Sequence, residues 1–331
     1  MEYIRKQLNY TKYKSNAFEF YFKGMTIGAL DIETTGLSPQ NNKFILGGLA
    51  VAEKDSLILH QFFAENIDEE KQVLTDYINE VSNLDLILTY NGKNFDIPFM
   101  KKRGSGFCSE FPFNLDLYQI IRTSSNLKAY LPNLRQKTVE NFMGFWDQRK
   151  DEISGRDSVD LYYRYMNTKD PTLKEQILLH NSDDVLQLYR LLTVLGKCDL
   201  HQALFQIGFP LIFNDGMSLL VNEVVLKNRG PLVVHGIQTG TPVNYISYVD
   251  ENHPYSATFN KENRLFKVSV PLIHKYGLTM VDFTALDLPT APVEKYPFFG
   301  NGLLILANQG EKNYLETNHF IKLLLERICK R

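Results

Sequence analysis

Apolar and polar positions follow two regimes along this chain. Up to about residue 196, apolar runs of strand length are interleaved with stretches whose apolar residues recur every three or four positions. Phe18-Glu19-Phe20-Tyr21-Phe22 alternates and predicts a leading edge strand. Ile27 to Leu30 is an apolar run that predicts a buried strand, and Phe44–Val51 and Leu57–Phe63 predict two more, joined by a tight polar turn at Glu53-Lys54-Asp55. These three would run antiparallel in succession. Val73, Leu74, Tyr77, Ile78 and Val81 fall on one face of a helix over 68–82, opened by Asp68 with Glu69 and Glu70 in its first turn. A strand over 85–90, an Asn91-Gly92 turn and a helix to about Arg103 follow. Phe107–Asn114 predicts a loop, Leu115–Tyr118 a short strand, and 133–143 and 157–166 two helices. Pro171 suits the first turn of a helix reaching about Leu195. The order predicts a mixed sheet flanked by helices, in the α/β class.

After Gly196 the pattern changes. Short β-like runs separated by Pro and Gly dominate: 232–234, 245–249, 264–270, 279–283 and 303–307, closed by an amphipathic helix over about 318–330. The expected organisation is an N-terminal arm (1–17), an α/β domain (18–200) and a smaller, mainly β (α+β) domain (201–331). Tyr245, Tyr248, Phe259, Lys261, Arg264, Phe266 and Lys267 suit either a nucleic-acid surface or ordinary strand faces.

Composition narrows the class. Hydrophobic residues make up 44% and charged residues 22%, enough apolar material for a sizeable core. The formal net charge is −2, so any nucleic-acid binding must come from a local patch. Cys108, Cys198 and Cys329 are widely spaced, which excludes a zinc-type pair and argues against a disulfide framework. The first residues have no apolar stretch of signal-peptide type, and no apolar run approaches the ~18 residues of a membrane span. A cytoplasmic protein without membrane contact is expected.

Chemistry concentrates at three places. Asp31 and Glu33 stand two apart at the end of the Ile27 strand, so both project from one side. Adjacent carboxylates repel unless a cation lies between them, and hard oxygen ligands suit Mg²⁺ or Mn²⁺. An N-cap acid beside a solvated acid is the other reading. Asp96 follows the Asn91-Gly92 turn at the start of a helix. His180 and Asp184, at i and i+4, share a helix face.

Taken together, Asp31-x-Glu33-Thr34-Thr35-Gly36, Asn91-Gly92-x-x-Phe95-Asp96-x-Pro98-Phe99 and His180-Asn181-x-x-Asp184-Val185 resemble the three motifs of the DEDD exonucleases, in particular the YprB-type group of ribonuclease H-like proteins. Leu131-Pro132-Asn133-Leu134 and Asp151-Glu152-Ile153-Ser154-Gly155 are similar to that group as well, and the resemblance runs over residues 20–197. It implies a ribonuclease H-like fold and a metal-dependent 3′→5′ exonuclease acting on a single-stranded end of DNA or RNA. Two divalent ions about 3.5–4 Å apart would hold the attacking water and the leaving oxygen in line.

The resemblance also implies roles. Asp31 would be shared by both ions, Glu33 and Asp184 would bind the ion that activates water, and Asp96 would act through a water on the other. His180 would orient or deprotonate that water. Thr34, Thr35 and Gly36 would cradle the terminal nucleotide, and Asn91, Lys93 and Asn94 would meet phosphate or sugar. Asp116 stands where the family often has a further acid; a helix cap is its other reading.

One departure matters. The family places its His five residues before the Asp and uses the four-residue step with Tyr; here His180 has the four-residue step. His180 as general base therefore stays open beside His180 as a buried hydrogen-bonding residue, and Asp183 competes with Asp184 for the ligand role. A structure-specific endonuclease on the same fold, a non-catalytic nucleic-acid-binding protein and a small-molecule phosphohydrolase are the alternatives.

Overall fold

The computed structural model describes residues 1–53, 56–105, 111–145, 149–150, 153, 155–213, 216–250 and 254–330. Lys54 and Asp55 of the expected turn, the start of the loop from Phe107 with Cys108, and most of the Asp151–Gly155 stretch lie outside them. The chain divides into two compact units, Met1–Asp199 and Leu200–Arg331.

In the first unit the apolar runs become one mixed sheet. Its strands are β1 (Glu2–Asn9), β2 (Ile27–Thr34), β3 (Phe44–Ala52), β4 (Ser56–Phe63), β5 (Leu86–Thr89) and β6 (Phe113–Asp116), in the order β1-β4-β3-β2-β5-β6. The first four are antiparallel to their neighbours, while β5 lies parallel to β2 and β6 parallel to β5. Around it are α1 (Asn16–Phe22), α2 (Glu70–Ser82), α3 (Asp96–Arg103), α4 (Leu117–Ser124), α5 (Leu127–Tyr130), α6 (Gln136–Phe142), α7 (Gly155–Thr168) and α8 (Pro171–Arg190), which continues as a 3₁₀ segment over Leu191–Lys197. β2 to β5 are buried at nearly every position, as strands covered on both faces must be.

Two glycines let helices approach the sheet from both sides. Neighbouring residues of a strand face opposite ways. Tyr77 of α2 lies against Gly47, where a β-carbon would be 2.6 Å from its ring, and its hydroxyl donates to the carbonyl of Gly48 at 2.8 Å. Asn181 of α8 lies over Gly48 from the other face. The core on the α2 side gathers Leu30, Ile32, Phe44, Val73, Leu74 and Tyr77; on the other, Ile45, Leu46 and Phe63 pack with Leu161, Tyr162, Leu173 and Ile177.

Three expectations are corrected here. Residues 1–17 are not an arm: Glu2–Asn9 pairs with β4 from Glu2↔Phe63 to Asn9↔Ser56. Most of its side chains are exposed, so this edge strand carries no apolar period. Phe18–Phe22 is helix rather than strand. Ser15 caps it, its hydroxyl accepting from Phe18 N at 3.2 Å, and Phe18, Tyr21 and Phe22 are buried at the i, i+3, i+4 spacing. The strand expected over 115–118 ends at Asp116, where α4 begins.

The second unit is mainly β, as expected of its sequence. It opens with α9 (Leu200–Ile207). Strands β7 (Phe209–Ile212), β8 (Ser218–Val225), β9 (Leu232–Gln238), β10 (Tyr245–Ser247), β11 (Ser256–Phe259) and β12 (Leu265–Val270) form an antiparallel sheet in the order β10-β11-β12-β9-β8-β7. A second sheet holds β13 (Ile273–Lys275), β14 (Leu278–Asp282), β15 (Phe299–Gly300), β16 (Leu303–Asn308) and β17 (Glu311–Lys312). The closing helix α10 (Tyr314–Cys329) starts one turn earlier than its apolar pattern predicts. Phe259 and Phe266 are buried and stacked on each other at 5.3 Å, which removes them from any nucleic-acid surface. Among the described residues no helix is long and apolar enough to cross a membrane.

Candidate active site

The acids of β2 face α8. In the sheet Asp31 stands opposite Gly48, and Gly48 opposite Gln61. Asn181 spans this row: its Nδ2 donates to Asp31 Oδ2 at 3.3 Å and to the Asp31 carbonyl at 3.4 Å, while its Oδ1 accepts from Gln61 Nε2 at 3.1 Å. Gln61 Nε2 also donates to Leu178 O at 2.8 Å. The helix is thus keyed to the strand carrying Asp31. One turn apart on α8, His180 and Asp184 come into place beside Glu33. His180 Nε2 is 3.8 Å from Glu33 Oε1 and 3.5 Å from Asp184 Oδ2. One ligand atom from each of Glu33, His180 and Asp184 falls within 4.8 Å of the others.

Asp183 is turned away from this group. Its Oδ2 accepts from the backbone N–H of Lys150 at 2.5 Å. Of the two neighbouring acids, Asp184 is the one that reaches the cluster.

Asp96 arrives from another direction. β5 delivers the chain beside β2, and the turn after it includes Asn91 at φ 65°, a left-handed conformation Asn tolerates better than most residues. Asp116 pins that turn. Its carboxylate accepts from Asn91 N at 2.8 Å and Lys93 N at 3.1 Å, and caps α4 by accepting from Gln119 N at 3.3 Å. The cap reading of Asp116 holds, and the same carboxylate also fixes the turn that precedes Asp96. Asp96 then opens α3, buried and close enough to Asp31 for their charges to oppose each other.

Crowding shows in the acidities. Burial pushes the Asp31 carboxyl well above the ordinary aspartate range, and Asp184, Asp96 and Glu33 add to it. Glu33 is pushed up to about 7, by burial first, with His180 opposing and Asp184 adding. Asp96 also rises to about 7 through burial, against hydrogen bonds to the backbone at Asp96 and Ile32. Without a cation these groups hold protons near neutrality; a divalent ion among them would reverse that. The carboxylate oxygens form a donor set that fits a hard divalent cation such as Mg²⁺ or Mn²⁺.

The cluster opens into a cleft of about 910 Å³. Thr34, Thr35 and Gly36 line it, as does the largely exposed Leu37. Asn91, Lys93 and Asn94 are not among its lining residues; Asn94 Nδ2 donates instead to Asn91 Oδ1 at 2.7 Å. Sequence reasoning missed another wall. Asn133, Arg135, Gln136, Lys137 and Thr138, at the start of α6, face the same cleft, and Gln136 Nε2 donates to the carbonyl of Asp184 at 3.1 Å. Arg149, also missed, joins them: its Nη1 is 2.6 Å from Asp184 Oδ1, and it grips the buried Glu140 with Nε and Nη2 at 2.6 and 2.8 Å. Alternating Arg and Lys beside an Asn-Leu turn was the available signal for the α6 wall. None marked Arg149.

Residues 29–196 match the family model described as RNase_H superfamily, half of the chain. The chain belongs to the RNase_H superfamily. Within it, the chain is similar to the uncharacterized protein YprB of Bacillus subtilis (strain 168), with 29% identity over 173 residues, 50% of this chain and 41% of YprB. It is similar also to the uncharacterized protein MJ0365 of Methanocaldococcus jannaschii, with 23% identity over 184 residues, 53% of this chain and 98% of that one. The chain thus spans well under two thirds of YprB. Among solved structures, the family B DNA polymerase of Pyrobaculum calidifontis matches 54% of this chain and 27% of its own at 16% identity and a TM-score of 0.40. E. coli Exonuclease I in complex with a dA16 oligonucleotide matches 64% and 54% at 12% identity and a TM-score of 0.29. The superfamily fold and the mixed sheet described above agree.

Proposed function

We propose that this protein is a divalent-metal-dependent nuclease that shortens a single-stranded nucleic acid from its 3′ end. The observation that carries the proposal is the convergence of Glu33, His180 and Asp184 within 4.8 Å at the wall of a cleft, with Asp31 and Asp96 crowded beside them. Membership of the superfamily supports the nuclease class, and the three motifs in order support the exonuclease direction.

Asp31, Glu33, Asp96 and Asp184 would hold two Mg²⁺ or Mn²⁺ ions. Bound there, the metals would supply Lewis acidity toward the phosphodiester and acidify the attacking water. His180 Nε2 faces Glu33 and Asp184, the place from which it would take the proton of that water. Thr34, Thr35 and Gly36 would receive the terminal nucleotide, while Arg135 and Lys137 would meet the phosphates behind it.

The test is end-labelled single-stranded DNA and RNA incubated with Mn²⁺, Mg²⁺ or EDTA, beside D31N. Stepwise shortening from the 3′ end, lost in EDTA and in the variant, is expected. Internal cuts would replace the exonuclease with an endonuclease on the same site. Retention of either polymer without cleavage would make the chain a binding protein.

A further inference from the structure

Arg149 touches the acid cluster at Asp184, and the three motifs assign it no role. Its side chain is only 10% exposed, in a place where an unmatched guanidinium is costly. Glu140, 1% exposed, matches it with two parallel hydrogen bonds, the geometry for which arginine and carboxylate are suited. The remaining nitrogen of the guanidinium, Nη1, lies 2.6 Å from Asp184 Oδ1. The other oxygen of Asp184, Oδ2, lies 3.5 Å from His180 Nε2, on the side of Glu33.

The two oxygens of one carboxylate therefore have different duties. We propose that Arg149 is a positioning residue: braced by Glu140, it holds Asp184 Oδ1 so that Oδ2 is presented to the metal beside Glu33 and His180. A carboxylate that swings freely must give up rotamer freedom when it binds a cation; one already held gives up less. Because Glu140 balances its charge, Arg149 acts on Asp184 by direction more than as a competing cation.

A second observation supports a built arrangement. The next residue, Lys150, gives its backbone N–H to Asp183 at 2.5 Å. Consecutive residues of one segment thus hold consecutive acids of α8. From the α6 wall, Gln136 adds a hydrogen bond to the Asp184 carbonyl. Asp184 is held at its side chain and at its backbone from two separate segments.

This inference rests on the metal-dependent reading of the same site, and one experiment separates the two. Mn²⁺ binding is measured by calorimetry for the wild type, R149M, R149K and E140Q, with unfolding temperatures recorded for each and cleavage followed as a function of Mn²⁺. The expected result is weakening of Mn²⁺ affinity on the order of 10- to 100-fold in R149M, partial recovery in R149K, and a smaller loss in E140Q. Cleavage by R149M should recover as Mn²⁺ is raised, with KM for the oligonucleotide unchanged. If R149M does not fold, R149K and E140Q decide by the same affinities. Wild-type affinity in a folded variant, or tighter binding, would overturn the positioning role and leave the nuclease reading standing. Failure of the wild type to bind Mn²⁺ would overturn both.

Discussion

Asn181 stands so close over Gly48 that a β-carbon on the glycine would lie 2.1 Å from its Oδ1. That oxygen is not free to yield, because it accepts from Gln61 while the same amide donates to Asp31. The G48A variant must therefore displace Asn181 and with it the link between α8 and the Asp31 strand. We expect a loss of about 1–3 kcal/mol in stability and a larger proportional loss in metal affinity. Chemical denaturation and Mn²⁺ calorimetry on the same preparation check this; full metal affinity in the variant would mean that α8 is held in place by other contacts.

The acid cluster sets a pH dependence of known sign. Asp31, Glu33 and Asp96 are weaker acids in the folded state than in the unfolded one, so between about pH 4 and 7 the folded chain retains protons that the unfolded chain releases. Their contribution to stability is present below that window and is lost as pH rises through it. In EDTA, wild type should lose stability relative to D31N between pH 5 and pH 8. Mn²⁺ should stabilise wild type more at pH 8 than at pH 5. A wild-type curve parallel to that of D31N in EDTA would contradict this account.

Asp116 does two jobs with one carboxylate, and its removal should cost both. D116A leaves Asn91 N, Lys93 N and the α4 N-terminus without their acceptor. The expected loss is roughly 2–4 kcal/mol. D116N, which keeps one oxygen, should lie between the two. A loss confined to the capping value of ~1 kcal/mol would show that the turn before Asp96 holds its shape unaided.

Arg135 lies on the wall of the same cleft and, among the described residues, makes no ion pair with the acids. Replacing it by Ala should weaken oligonucleotide binding across all sequences and lower the slope of log K against log salt by about 1. The rate at saturating substrate should hardly change. A fall in that rate with the salt slope intact would place Arg135 at the chemistry instead of on the backbone track.

Much of the site was legible because its residues obey the two simplest periods. Asp31 and Glu33 share a strand face, His180 and Asp184 a helix face, and each element has an apolar pattern of its own. The N-terminus was not, for opposite reasons. Phe18–Phe22 is apolar at so many positions that it fits a strand and a helix equally, and the decisive signal is the cap at Ser15. Glu2–Asn9 fits neither, because an edge strand with exposed side chains is specified by the backbone of β4. The Gly47-Gly48 pair could have been read as a close approach within a strand, although nothing in the sequence says what approaches. Arg149 is beyond such reading. Its partners, Glu140 and Asp184, lie on two different helices, and no local pattern connects the three.

The four acids come from positions 31, 33, 96 and 184, the last on a helix that follows the completed sheet. A growing chain emerging from the ribosome can lay down every strand from β1 to β6 before Asp184 has been synthesised. A chain ending anywhere in α7 would contain the sequence of all six strands and lack His180 and Asp184. On the proposed function, cleavage would be a property that the polypeptide acquires only once α8 has been made.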